Sequence, residues 1–167
     1  QQVVEWNSTE AEYGGEQSVQ EMFERQVEVR PDAISVEFED EHLSYGELNA
    51  SANQLANYLC DLGVGTEVVV ALYFQRSLDM VIALEAVLKT GGTYLPMDPA
   101  YPAQRLAFMI KDSQAGYLLT QDALMEALPE SGCRVICVER EGEEIGRRSE
   151  EHEGEAQEPD SLAYVIY

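Results

Sequence analysis

LKTGGTYLPMDPAYP, residues 88–102, carries a helix end into a strand and then into a rigid corner. Gly91 stands where an apolar helical stripe stops. There it supplies the left-handed cap that a residue with a Cβ resists. Gly92 allows close backbone approach. Thr93-Tyr94-Leu95 starts a strand, and Pro96, which has no N–H, ends it or holds its edge. Asp98-Pro99 starts a turn, and Pro102 occupies a first helical position. The stretch reads as helix, stop, short strand, corner, helix.

The flanking sequence continues that alternation. Val68–Phe74 is an unbroken apolar run, as expected of a strand covered on both faces. Ser77 caps a helix through Lys89 that is apolar nearly all round. Ser44-Tyr45-Gly46-Glu47 fits a capping box, followed by the stripe Leu48, Ala52, Leu55, Ala56 and Leu59 and a stop at Gly63. Ile34–Phe38 alternates, Glu39-Asp40-Glu41 turns, and His42-Leu43 returns, which predicts a hairpin. Ser18-Val19-Gln20-Glu21 is another capping box, with Val19, Met22, Phe23 and Val27 at helical spacing and Pro31 as terminator. Downstream, Leu106, Met109 and Ile110 extend the helix after Pro102. Tyr117–Leu119 and Val135–Val138 read as strands, and Ala123–Leu128 as a short helix. Strands alternating with helices predict an α/β fold, with parallel-rich sheets and flanking helices joined by right-handed crossovers.

Residues 1–17 are polar and Glu-rich and read as an interdomain linker, leaving 18–167 as the folded portion. The charged, aperiodic stretch 139–160 is expected to be a mobile acidic loop. Leu162–Tyr167 reads as a last, central strand. A chain that starts at Gln1 and stops inside an apolar run is expected to be a piece of a longer polypeptide, because termini usually lie at the surface.

The 167 residues include 10 Lys and Arg against 32 Asp and Glu, a net charge of −22. Such a surface repels phosphate backbones and anionic lipid, which argues against nucleic-acid or membrane partners. No apolar run reaches membrane-spanning length, and no basic-then-apolar leader opens the chain. Cys60, Cys133 and Cys137 have no framework spacing, so reduced thiols in a cytoplasmic protein are expected. The two matches to the glycosylation pattern, at Asn7 and Asn49, are read as chance.

The chemistry-bearing residues form no catalytic constellation in the sequence. His42 belongs to the hairpin and His152 to the acidic loop, and no serine stands in a nucleophile elbow. Cys133 and Cys137 lack further partners for a zinc site. Tyr94 and Tyr101 have two readings, lining a cleft or aromatic packing beside prolines, and the second is preferred. The acidic loop lacks the spaced order of a calcium site, and Gly63-Val64-Gly65 is a helix stop and turn.

Two motifs carry a family resemblance. LSYGELN, 43–49, resembles the first core motif of adenylation domains of nonribosomal peptide synthetases. LKTGGTYLPMDPAYP resembles their second, with Thr90 and Thr93 at positions usually held by alanine. SLAYVIY, 161–167, is similar to the start of the third, and Trp6-Asn7 resembles the linker from a preceding condensation domain. The resemblance implies the N-terminal portion of an adenylation domain's large lobe. The complete domain would use ATP and magnesium to activate an amino acid as aminoacyl-AMP and load it on a carrier-domain phosphopantetheine. The family's phosphate loop, pocket residues, ribose-binding aspartate and catalytic lysine fall beyond residue 167. No catalytic, cofactor-binding or metal residue is therefore carried over, and the 167-residue piece is expected to be inactive and to bind no cofactor. Two other readings stand: part of an acyl- or aryl-activating AMP-forming ligase, and a non-catalytic doubly wound interaction module.

Overall fold

A computed structural model describes residues 18–128, 130, 132–152 and 161–167. The expected linker, 1–17, lies outside the described residues, as does 153–160 of the expected loop. The elements are α1 (Val19–Val29), β1 (Ile34–Phe38), β2 (Glu41–Ser44), α2 (Tyr45–Asp61), β3 (Val69–Tyr73) and α3 (Leu78–Lys89). β4 (Thr93–Met97), α4 (Ala103–Ser113), β5 (Tyr117–Thr120), a 3₁₀ turn (Asp122–Ala127), β6 (Arg134–Cys137) and α5 (Gly142–Ile145) follow.

β1 and β2 form an antiparallel hairpin, turned at Glu39 with φ 55°. The other strands make one parallel sheet in the order β4-β3-β5-β6. The apolar run predicted for β3 divides by pleat. Val70, Leu72 and Phe74 join α2 and α3 in one core, and Ala71 and Tyr73 join α4 in the other. Period-two side-chain direction explains why the run has no polar face: both sides are covered by helices.

Helix starts follow their local signals. At α2, the Glu47 amide donates to Ser44 Oγ at 3.2 Å and the Ser44 amide donates to Glu47 Oε2 at 2.8 Å, the two halves of a capping box. Ser18 and Glu21 do the same at α1. Ser44→Ala is expected to cost about 1 kcal/mol in urea denaturation, the usual worth of a side-chain cap. Gly91 takes φ 79°, as its place after α3 requires. A Cβ on Gly92 would stand 3.0 Å from Thr90 Oγ1 and 3.3 Å from the Val68 carbonyl oxygen, so the close approach is real.

Three expectations are corrected. The stripe on α1 is covered only in part: Phe23 and Val27 are half-buried but Val19 and Met22 are 56% and 57% exposed, while Gln20 is buried and its Nε2 donates to the Leu88 carbonyl at 2.6 Å. α1 abuts the C-terminal turn of α3, where the Leu88 carbonyl accepts the Gly91 amide at 3.0 Å and takes the Gln20 amide as a second donor. The stretch 139–152 is not a featureless loop. It contains α5 and lies along α2, whose Asn53, Gln54 and Asn57 amides donate to the carbonyls of Gly146, Arg148, Ser149, Glu150 and Glu151.

Leu162–Tyr167 does not form a central strand. It makes one parallel bridge, Tyr94 to Tyr164, on the outer edge of β4. The Tyr94 amide donates to the Ala163 carbonyl at 3.1 Å and the Val165 amide to the Tyr94 carbonyl at 3.0 Å. The next outward-facing donor on β4 belongs to residue 96, a proline, so the ladder loses its following rung.

Candidate functional site

β3 and β4 are neighbours, yet the chain leaves them toward opposite faces: α3 packs with α2, and α4 packs on the other side. Diverging connections from adjacent parallel strands open a crevice at their carboxyl ends, where open α/β sheets bind ligands. Here the crevice holds about 620 Å³. Phe74, Met80, Leu84, Met97, Met109 and Ile166 give it apolar walls, and Gln75, Arg76, Asp98 and Tyr101 also border it.

The second half of LKTGGTYLPMDPAYP forms the rim. Asp98 Oδ1 accepts from the Ala100 amide at 2.8 Å and the Asp98 carbonyl from the Tyr101 amide at 2.9 Å, a turn closed by its own aspartate. The Arg105 guanidinium lies 4.3 Å over the Tyr101 ring, and its Nη2 donates to the Tyr167 carbonyl at 3.3 Å. Tyr167 Oη donates to Asp112 Oδ2 at 2.7 Å. Burial and that carboxylate push the Tyr167 hydroxyl up to about 12, so it remains a donor at neutral pH. On the β3 side, the Gln75 amide donates to Gln121 Oε1 at 2.7 Å. Tyr101 therefore lines a cleft as well as packing beside prolines. Tyr94 instead meets Tyr164, their ring centroids 5.6 Å apart.

These residues do not fit a magnesium–triphosphate group. Ser77 Oγ already takes the Met80 amide of α3's first turn at 3.2 Å, and Asp79 adds negative charge there. α4 begins behind Pro102, which has no N–H to offer. Among the described residues no group of three or more His, Cys, Asp or Glu could hold a metal ion. What the crevice can do chemically is enclose an apolar surface and orient it with a few polar groups.

A second cluster, between α1, α2, α3 and the 146–152 segment, was not expected from the sequence. Lys89 is buried, and its Nζ meets Glu24 Oε1 at 2.7 Å. The His152 ring lies between Asn57 and the Lys89 carbonyl. Asn49 Oδ1, Asn53 Oδ1 and Glu85 Oε2 are buried without a hydrogen-bond donor. Burial raises the Glu85 carboxyl above its ordinary 4.5, against the pull of Lys89. The folded form therefore holds a proton that the unfolded chain has released, and stability falls as pH rises from about 4.5 through that window. Glu85→Gln should remove this decline and be more stable at pH 7.5 by about 1 kcal/mol, the scale of one unsatisfied buried acceptor. Urea midpoints at pH 5 and 7.5 check it. The i, i+4, i+8 stripe Asn49, Asn53, Asn57 was the available signal: three amides on one face of α2.

Cys60, Cys133 and Cys137 form no disulfide. No helix among the described residues is long and apolar enough to cross a membrane.

The profile of the AMP-binding enzyme family matches residues 23–167. The chain belongs to that family. It is 47% identical over 165 residues to one of the linear gramicidin synthase proteins of Brevibacillus parabrevis, covering 99% of this chain and 3% of that protein. It is 38% identical over 155 residues to tyrocidine synthase 1 of the same organism, covering 93% of this chain and 14% of that protein. The chain also superposes on a solved nonribosomal peptide synthetase, FmoA3, in its alpha-methyl-L-serine-AMP bound form. The TM-score is 0.81 at 32% identity, over 89% of this chain and 16% of that one. The α/β fold with a parallel sheet and flanking helices is that of the adenylation domain, as the two core motifs implied. The chain spans only a small share of each relative's length.

Proposed function

We propose that the chain is the N-terminal portion of the large lobe of an amino-acid adenylation domain in a modular peptide synthetase. The carrying observation is where the two core motifs fall. LSYGELN forms the capping box and first turn of α2, and LKTGGTYLPMDPAYP runs from the end of α3 through β4 to the crevice rim. In this reading 18–167 is the folded portion, 1–17 an interdomain linker, and 139–160 an acidic loop. The parent would use ATP and magnesium to form aminoacyl-AMP and pyrophosphate, then pass the acyl group to a carrier-domain phosphopantetheine in the cytoplasm. Condensation and carrier domains would be its neighbours. The solved relative in an AMPPNP-bound form supports nucleotide use by the whole domain.

The role of this portion is scaffolding: a doubly covered parallel sheet against which the nucleotide-binding half packs. Amino-acid-dependent exchange of labelled pyrophosphate into ATP tests the reading. The 167-residue chain should give no exchange, and the parent protein should give it with one or a few amino acids. Exchange by this chain alone, or a parent that activates only acyl or aryl acids, would overturn it.

A further inference from the structure

The outer edge of β4 is covered by a segment that the backbone ladder holds at one end only. Thr93 Oγ1 donates to the Leu162 carbonyl at 2.9 Å, and two backbone bonds join Tyr94 to Ala163 and Val165. Pro96 then offers no N–H, so no further rung follows. The far end of 162–167 is held from α4 instead. Arg105 Nη2 donates to the Tyr167 carbonyl at 3.3 Å, the Phe108 ring meets the Tyr167 ring edge-on, and Asp112 Oδ2 accepts from Tyr167 Oη at 2.7 Å. Arg105, Phe108 and Asp112 are spaced three and four apart and form one stripe of the helix. The Arg105 guanidinium is itself braced over the Tyr101 ring.

We propose that this stripe of α4 is a positioning clamp: Arg105, Phe108 and Asp112 fix Tyr167, and through it the course of 162–167 past the crevice mouth. The stripe is not what holds α4 on the sheet. Leu106, Met109 and Ile110 do that from the buried face, whereas Phe108 is 57% and Tyr167 37% exposed. Among the described residues neither Arg105 nor Asp112 forms an ion pair, so their polar heads are given to Tyr101 and Tyr167. Contacts this exposed add little to global stability. Their effect is geometric. Ile166 and Tyr167 border the crevice, and the clamp sets their place there.

On the reading of the chain as the N-terminal portion of an adenylation domain, on which this inference rests, the polypeptide leaving Tyr167 enters the nucleotide-binding half. A shift of about 1 Å in groups that orient a substrate is enough to cost it productive geometry. Arg105, Asp112 and Tyr167 are then positioning residues for ATP, acting through the chain they hold and not by contact.

Hydrogen exchange on the 167-residue chain is the first arm of the test. In Tyr167→Phe, Arg105→Met and Asp112→Ala, protection of the Val165 amide, bonded to the Tyr94 carbonyl at 3.0 Å, should fall about fivefold or more. Protection of the Thr93 amide, bonded to the Val68 carbonyl, should stay within about twofold, and the melting midpoint within about 2 °C. Asp112→Asn keeps an acceptor oxygen and should match the wild type. The second arm is pyrophosphate exchange by the parent protein. There the same three variants should raise the KM for ATP about fivefold or more and leave kcat and the KM for the amino acid within about twofold. Asp112→Asn should again match the wild type. Unchanged Val165 protection overturns the clamp, as does an equal loss at Thr93, which would mark general loosening. An unchanged KM for ATP in an active parent also overturns it, and so does an Asp112→Asn variant as impaired as Asp112→Ala. A wild-type parent without exchange sinks the adenylation reading alone, and the Val165 amide then decides the clamp.

Discussion

Glu24→Ala should destabilise the protein by about 3 kcal/mol, far more than a surface charge normally carries. The Lys89 side chain is 2% exposed and its Nζ contacts Glu24 Oε1 at 2.7 Å, although Glu24 itself is half in solvent. Removing the carboxylate leaves a buried ammonium whose only other carboxylate neighbour among the described residues is Glu85, which burial disfavours as an anion, and losses of this kind run to about 3–5 kcal/mol. The Phe23 ring, 5.8 Å from Nζ, softens the loss without replacing a charge. Lys89→Met in the same background should recover most of it, because an unbranched apolar side chain fits the buried channel and needs no partner. Urea denaturation of the two single variants and the double variant gives the coupling energy, expected at about 2 kcal/mol. A loss below about 1 kcal/mol for Glu24→Ala would mean that water reaches the ammonium and that its burial is not what orders α1.

Leu119→Ala is expected to cost about 3–4 kcal/mol, in the range for a fully buried leucine whose cavity cannot collapse. Leu119 lies in β5 between β3 and β6, has no exposed surface, and packs in the core shared with α2 and α3. Phe108→Ala supplies the contrast. That ring is larger but 57% exposed on α4, touching Tyr167 edge-on at a centroid distance of 5.9 Å, and should cost less than about 1 kcal/mol. Guanidinium or urea melts with unchanged slopes would assign the difference to the folded core. Equal costs would show that the sheet centre relaxes around a lost side chain.

The motif residues were legible because their chemistry is local. Ser44 and Glu47 are three apart, and their reciprocal bonds need nothing beyond the first turn of α2. Gly91 stops α3 because a left-handed residue must follow a helix there. The site was less legible. Asp98, Tyr101 and Pro102 show a corner, but Met80, Met109 and Ile166 reach the same crevice from three other parts of the chain. No spacing rule brings positions 80, 98, 109 and 166 together. That requires the chain to leave β3 and β4 toward opposite faces of the sheet. The α1 stripe misled for a related reason: helical spacing marks a face, and which face is covered depends on what lies against it. At α1 the neighbour was a helix end that needed the Gln20 amide more than it needed Val19 and Met22.

By itself the amino-acid sequence determined the α/β class, the helix starts and stops, the doubly covered β3 strand and the membership of an AMP-binding family. Each of these rests on interactions within a few residues or on motifs read in order. Only the tertiary structure decided the strand order, the crevice between β3 and β4, the burial of Lys89 against Glu24, and the seat of His152 between α2 and α3. It also held Leu162–Tyr167 to a single bridge at the sheet edge. The reason is that burial and hydrogen-bond partnership are properties of residues far apart in the chain. His152 meets Asn57 from 95 positions away, and the Thr93 amide finds its acceptor in the Val68 carbonyl of the neighbouring strand's approach. Such meetings are settled by packing, which spacing along the chain does not encode.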